Sequence, residues 1–335
     1  MNKAIIGSLP ALSAEDDEPV EVVSDANLAW VGTVPPEWDG WRLDRALVAL
    51  FPASSRSHLQ ALVEEGCAEV NGQIALGASR KLRANQALNV QWHAPRHEVP
   101  FEGEDIAIDV VFEDEHLLVL NKRAGWVVHP AAGNWSGTLL NALLFRYLAS
   151  KQLPRAGIVH RLDKDTSGLM VVAKSLDAYH ALVEQLAQRQ VGREYMALCH
   201  GVVPGAFSVD APIGRDPRNR VRMAVVSDGK PAKTDFHPLM LGEKVSLLHC
   251  VLHSGRTHQI RVHAGQRGYP LVGDGLYGGR PLAGLQRQGL HAARLRLQHP
   301  KTAQTLQWDL VPPSDFLAAA EELVGWQGGG LAAST

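Results

Sequence analysis

The stretch HRLDKDTSGLMVVAK, residues 160–174, packs five ionisable side chains into six residues and then turns almost wholly apolar after Gly168. If residues 169–173 form an interior strand, the loop before them delivers its side chains to a sheet edge or a cleft. Gly168 lets the backbone turn there, and Thr166 and Ser167 can anchor the loop through their hydroxyls. A carboxylate held in such a place is partly desolvated and needs a cationic neighbour to stay ionised. It then serves as a nucleophile or a base. The plainer alternative is a surface ion-pair loop leading into a core strand. Asp163 and Asp165 also invite a glycosidase reading, but a spacing of two carries little weight. Paired hydrolytic carboxylates stand about 5 to 9 Å apart around a sugar, and loop neighbours meet or miss that by accident.

A second charged cluster is LHSGRTHQIRVH, residues 252–263. Read as a strand from Thr257, it sends Gln259, Arg261 and His263 to one face and His258, Ile260 and Val262 to the other. Arg261 is suited to fix a carboxylate or hold a phosphate bidentately. His258 and His263 stand five apart, with no local carboxylate and no HExxH pattern, so no metal is expected. Tyr195 in REYMALC either packs on a sheet or offers its ring to a nucleobase. GRDPRNRVRMAV holds Arg215, Arg218, Arg220 and Arg222, and is either a backbone-binding hairpin or a solvated turn. GYPLVGDGLYGGRPL lacks the strand-then-helix order of a nucleotide fingerprint and reads as a rigid loop around a cleft.

These side chains need a scaffold. From residue 104 onward strand-like runs dominate: HLLVLNK, residues 169–173, REYMALCHG, VSLLHCVL, THQIRVH, ARLRLQHP and TLQWDL. Helical spacing shows in TLLNALLFRYLA and through Leu176, Tyr179, Val183 and Leu186. Without regular strand–helix alternation, the expected class is α+β with a mostly antiparallel mixed sheet over residues 104–325. A smaller α/β module spans residues 38–95. One short helix there is closed by Pro52, and a second is capped by Ser54 or Ser55, with Leu59, Leu62 and Val63 turned inward. A strand, an Asn71-Gly72 turn, another strand and a run ending near Trp92 complete it. Residues 1–37 read as an acidic flexible extension, 96–103 as a linker and 326–335 as a flexible tail.

The 335 residues carry a net charge of -2, unevenly spread. The first 37 hold seven acids and one lysine, so the rest of the chain is net positive. A positive body with an acidic tail suits a local RNA-binding patch. Three widely separated cysteines suggest neither disulfides nor a cysteine zinc site, and a reducing, cytoplasmic setting is expected. No long apolar tract and no convincing secretory signal appear, so no membrane association is expected.

WRLDRAL, SSRSHLQALVEEG and the VNG turn before ASRKLRANQALNV resemble the S4 RNA-binding domain. That resemblance implies RNA contacts from Arg42, Arg45, Arg56, Arg80 and Lys81. AGIVHRLDKDTSGLMVVAKS, REYMAL, SGRTHQIRVH and YPLVGDGLYGG, in that order, resemble the RluA-type family of RNA pseudouridine synthases, and most of all its branch acting on large-subunit ribosomal RNA. The resemblance implies Asp163 as the nucleophilic aspartate that detaches uracil from ribose C1′, either by adding to the sugar or by first promoting a glycal through C2′, with Tyr195 stacked on the target base and Arg261 paired with Asp163. It further implies Arg161 in the stack vacated by the flipped base; Arg218 and Arg220, from the arginine-rich run, are expected as RNA contacts on their local charge alone. No cofactor is needed for an isomerisation. The implied partner is ribosomal RNA or an assembling large subunit, with the helix 69 hairpin as target and a monomer as the working form.

Overall fold

The computed structural model describes residues 28–52, 54–93, 101–131, 134–329 and 331. Residues 1–27 of the expected extension, and parts of the expected linker and tail, lie outside the described residues. The chain divides into two compact units, Met1–Pro100 and Phe101–Thr335.

The first unit comprises β1 (Leu28–Thr33), α1 (Leu43–Leu50), α2 (Arg56–Glu64), β2 (Ala68–Val70), β3 (Gln73–Ile74) and β4 (Ala87–Trp92). The Ser55 side chain accepts from the His58 amide and so caps α2. Asn71 and Gly72 both take positive φ, which fits the tight turn between β2 and β3. Leu43 and Leu47 from α1 and Leu59, Leu62 and Val63 from α2 bury against Val70, Leu88 and Val90 of the sheet. The strand order is β1-β4-β2-β3, antiparallel throughout. This sheet begins earlier than the sequence suggests. β1 lies inside the stretch read as a flexible extension and pairs along its length with β4. Its six residues sit between an acidic run and Pro35-Pro36, which hide the short alternation.

The second unit opens with β5 (Val110–Glu113), β6 (Leu117–Lys122), α3 (Leu139–Arg146), β7 (Ser167–Ala173) and α4 (Leu176–Ala187). β8 (Gly192–His200), β9 (Phe207–Asp210), the hairpin β10 (Ile213–Asp216) and β11 (Asn219–Val225), β12 (Lys233–Leu241) and β13 (Val245–Leu252) follow. The chain then adds α5 (Gln259–Gln266), β14 (Leu290–Gln298), β15 (Thr305–Asp309) and α6 (Ser314–Val324). Among the described residues, nine of these strands form one mixed sheet, ordered β5-β6-β7-β14-β8-β13-β12-β9, with β15 also on β14. The β7–β14 pair is parallel, and the other pairings are antiparallel. Sequential apolar runs in β6 and β7 arise because both sheet faces are covered. Leu118, Leu120, Met170 and Val172 join the core under α3. Leu117, Val119, Leu169 and Val171 join the one under α4. The expected α+β class with a mixed, mostly antiparallel sheet therefore holds.

One expected strand is a helix. Residues 259–266 form α5, not a continuation of the sheet. His258 adopts a left-handed φ of 56°. Gln259 closes the turn by accepting from Ser254 Oγ and the Arg256 amide at 2.9 and 3.0 Å. Gln259 to Ala264 are all buried. The polar–apolar alternation of THQIRVH thus reflects a two-turn helix enclosed on every side, not a strand with two faces. The end of the chain also differs from a loose tail: Trp326 and Leu331 pack with Phe316, Ala319 and Ala320 of α6.

Gly168 is required where the charged loop enters β7. Its φ is +117°, and an added Cβ would lie 2.3 Å from the Ala292 carbonyl oxygen and 2.6 Å from the Ala292 amide nitrogen of β14. Strain and overlap with backbone act together. Gly168→Ala is expected to lower stability by about 3 kcal/mol or more, read as the midpoint of chemical unfolding. An unchanged midpoint would show that the β7–β14 contact is looser than described.

Candidate active site

The charged loop is held by its backbone as much as by its charges. Lys122 is fully buried at the end of β6, and its Nζ donates to the carbonyl oxygens of Arg123, Trp126 and Lys164 at 2.8 to 2.9 Å. Burial pushes the Lys122 ammonium down to about 7, while Asp163 and Asp165 pull it back up. Arg287 donates to the Asp165 carbonyl at 3.0 Å and grips Asp315 of α6 with its other nitrogens. Gln288 reaches the Thr166 hydroxyl, and Ser167 Oγ pairs with His291 Nδ1 at 2.9 Å. At the loop's start, His160 Nε2 accepts the Val171 amide at 3.0 Å. The two hydroxyls expected to anchor the loop do so.

Asp163 emerges from this frame half-buried, and Arg261 Nη1 donates to its Oδ2 at 3.0 Å. Arg261 is itself clamped. Its Nε donates to Asp274 Oδ2 at 2.7 Å and its Nη2 to Asp274 Oδ1 at 2.9 Å. Burial works against the Arg261 charge, but the bonds from Asp274 and the attraction of Asp163 hold the guanidinium above its ordinary value. One arginine therefore lies between a fixing carboxylate and a presented one. Asp163 Oδ1 accepts no hydrogen bond from a described residue, and His258 Nε2, on a ring that burial pushes toward its neutral form, stands 4.0 Å from it. Such a carboxylate is fixed at one oxygen and open at the other.

Tyr195, on β8, is 6% exposed and lies within electrostatic reach of Asp163. Burial pushes its phenol up to about 12, so it rests as a neutral hydroxyl. Asp163, Tyr195 and Arg261 are therefore drawn to one place from β8, α5 and the β7 loop. Arg161 is exposed on the same loop. His258 hydrogen-bonds Tyr277 Oη through Nδ1 at 2.8 Å, and that oxygen also accepts the Met223 amide of β11 at 2.9 Å. His263 is engaged elsewhere, by Thr234 and the Ala211 carbonyl, so the two histidines do not share a ligand position.

The other expected contacts are more dispersed. Arg42 and Arg56 both bond the buried Asp44, whose carboxyl is held down at about 2 chiefly by Arg42. Arg45 lies over the Trp41 ring at 3.8 Å, Lys81 is exposed and Arg80 partly so. Arg218 is exposed in the β10–β11 hairpin, and the side chain of Arg220 lies outside the described residues. The sequence reading missed Lys122, Asp274 and Tyr277, and weighed His258 only as a metal ligand. Asp274 had a signal, a lone acid amid glycines; Lys122 had one too, a lysine ending an apolar run.

Two measurements check this frame. Asp274→Ala leaves the buried Arg261 short of its main counter-charge and is expected to cost about 3 kcal/mol or more of stability, read by chemical denaturation. Burial also pushes His160 to about 3 and His291 to about 4. The unfolded chain then binds more protons than the folded one below about pH 6.5, so stability present above that pH is lost on acidification. Each ring is expected to remove about 2 kcal/mol between pH 6.5 and 5. A flat profile across that range would contradict their burial as neutral groups.

Residues 116–266 match the RNA pseudouridylate synthase family, and residues 41–88 match the S4 domain. The chain is 46% identical over 299 residues to "Ribosomal large subunit pseudouridine synthase D" of Nitrosomonas europaea, covering 87% of each chain. It is 45% identical to the protein of that name from Pseudomonas aeruginosa, covering 85% of this chain and 92% of that one. Among solved structures, human RNA Pseudouridylate Synthase Domain Containing 1 superposes with a TM-score of 0.52 at 28% identity, over 69% of this chain and 93% of that one. With its S4 domain and a buried arginine holding the loop aspartate, this chain belongs to the RluA-type family of RNA pseudouridine synthases.

Proposed function

We propose that the enzyme isomerises specific uridines to pseudouridine in large-subunit ribosomal RNA, with Asp163 as the nucleophile and the helix 69 hairpin as target. The observation that carries the chemistry is the open Oδ1 of a carboxylate whose Oδ2 is fixed by Arg261. Arg261 holds Asp163 by one oxygen and aims the other. Asp163 bonds C1′ as uracil leaves through N1; the base turns, C5 takes C1′ back from the carboxylate, the C5 proton is lost and N1 gains one. Reactant and product are isomers, so the site has to retain the base rather than supply a co-reactant. Tyr195, held as a neutral phenol, supplies a ring for the base to stack on. Arg161, exposed on the same loop, takes the stacking position that the extruded base leaves. Extrusion costs a few kcal/mol from a stack and less from a loop, which favours a hairpin with accessible uridines. The S4 domain, with Arg45, Arg80 and Lys81 exposed or partly so, adds phosphate contacts.

Asp163→Asn is expected to keep RNA affinity within a few-fold while abolishing pseudouridine formation. Chemical mapping of ribosomal RNA incubated with each purified protein reads both the chemistry and the positions. Wild-type modification by the variant would remove Asp163 from the mechanism. New pseudouridine outside helix 69 would redirect the target, and free uracil would mean hydrolysis instead. No helix among the described residues is long and apolar enough to cross a membrane.

A further inference from the structure

Arg193 stands two residues before Tyr195 on β8, between Leu252 of β13 and Leu295 of β14, and the period of a strand puts both side chains on one face. Its guanidinium lies directly over Gly255, where an added Cβ would be 2.5 Å from Nη1. The glycine keeps that space open for the arginine. Arg193 Nε is shielded from water and has no hydrogen-bond acceptor, and no described carboxylate forms an ion pair with Arg193. The charges around it do not help. Burial is the main influence lowering its affinity for a proton, with Arg256 adding to it and only Tyr195 opposing. The neighbouring His160 ring is held neutral by burial and by Arg193, and its Nδ1 is a second buried atom without a partner.

Arg193 is half-buried, and it differs from the buried arginines of the unit. Arg261 is bonded to Asp163 and Asp274, and Arg294 to Glu194 and Asp309. A guanidinium whose shielded Nε is unused, with a second cation nearby, is costly in the free protein. A bound anion compensates it, whereas a neutral carbonyl group satisfies the donor but leaves the charge uncompensated. The substrate's own anions are its phosphodiesters. Arg193 and Tyr195 are two residues apart on one face of β8, about 7 Å along the strand. An anion at Arg193 is therefore placed one short step from the base-stacking residue, where the backbone of an extruded nucleotide continues.

We propose that Arg193 receives a phosphate of the RNA strand flanking the extruded nucleotide. This rests on the reading of RNA as substrate. It assigns to β8 two tasks two residues apart, backbone capture at Arg193 and base contact at Tyr195.

The test uses the full chain and a synthetic uridine-containing RNA hairpin, with affinity measured by fluorescence anisotropy across a salt series. Neutralising one phosphate contact changes the slope of log affinity against log salt by about 0.7 to 0.9. Arg193→Gln is expected to flatten the slope by that amount, and Arg193→Lys to restore it. Thermal melting of both variants without RNA controls for folding, and restoration by lysine separates charge from packing over Gly255. A Gln variant with the wild-type slope overturns the proposal, as does a Lys variant that stays as flat as Gln. The proposed function is read separately, as pseudouridine formed by wild-type protein on ribosomal RNA, so the two can fail independently.

Discussion

The site depends on a guanidinium shared unequally by two carboxylates. Asp274 takes two nitrogens of Arg261 and sets its plane, and Asp163 takes the third. Two carboxylates in a partly dry cleft repel each other, and a single cation between them removes that repulsion for both. The asymmetry matters as much as the neutralisation. With both oxygens bonded, Asp274 is an immobile support, whereas Asp163 keeps one oxygen without a hydrogen bond from a described residue.

The frame around this pair answers the puzzle of a charged loop set against a buried strand. The loop is not stabilised chiefly by pairing its own charges with one another. Lys122 and Arg287, from elsewhere in the sequence, capture the carbonyl oxygens of Lys164 and Asp165, and His160 captures an amide of β7. Polar backbone that would be costly to desolvate is thereby satisfied. Lys164 remains exposed and Asp163 is half-buried against Arg261.

Much of this was legible from sequence. The candidate site residues sit in dense, unusual local patterns, and Asp163, Tyr195 and Arg261 were all visible before any fold. The apolar runs of β6 and β7, the Asn71-Gly72 turn and the Ser55 cap follow from local rules. What stayed hidden was tertiary. Alternation in THQIRVH suggested a strand because enclosure on all sides of α5 cannot be read from one segment. Asp274 lay in a glycine-rich loop, and nothing local ties it to an arginine thirteen positions earlier. β1 was obscured because its partner, β4, lies more than fifty residues away. Arg193 showed no signal, because a missing partner is a property of the folded surroundings.

The parallel pairing of β7 with β14 brings His291 beside Ser167 and Ala292 beside Gly168. These partners are 124 residues apart, and contacts of such long range form late because closing a long loop costs entropy before any contact is made. Asp163 acquires its setting only when nearly the whole unit has folded. During synthesis on a ribosome, the emerging chain therefore carries an RNA-binding domain well before it carries a working catalyst. Engagement of RNA can precede competence to alter it.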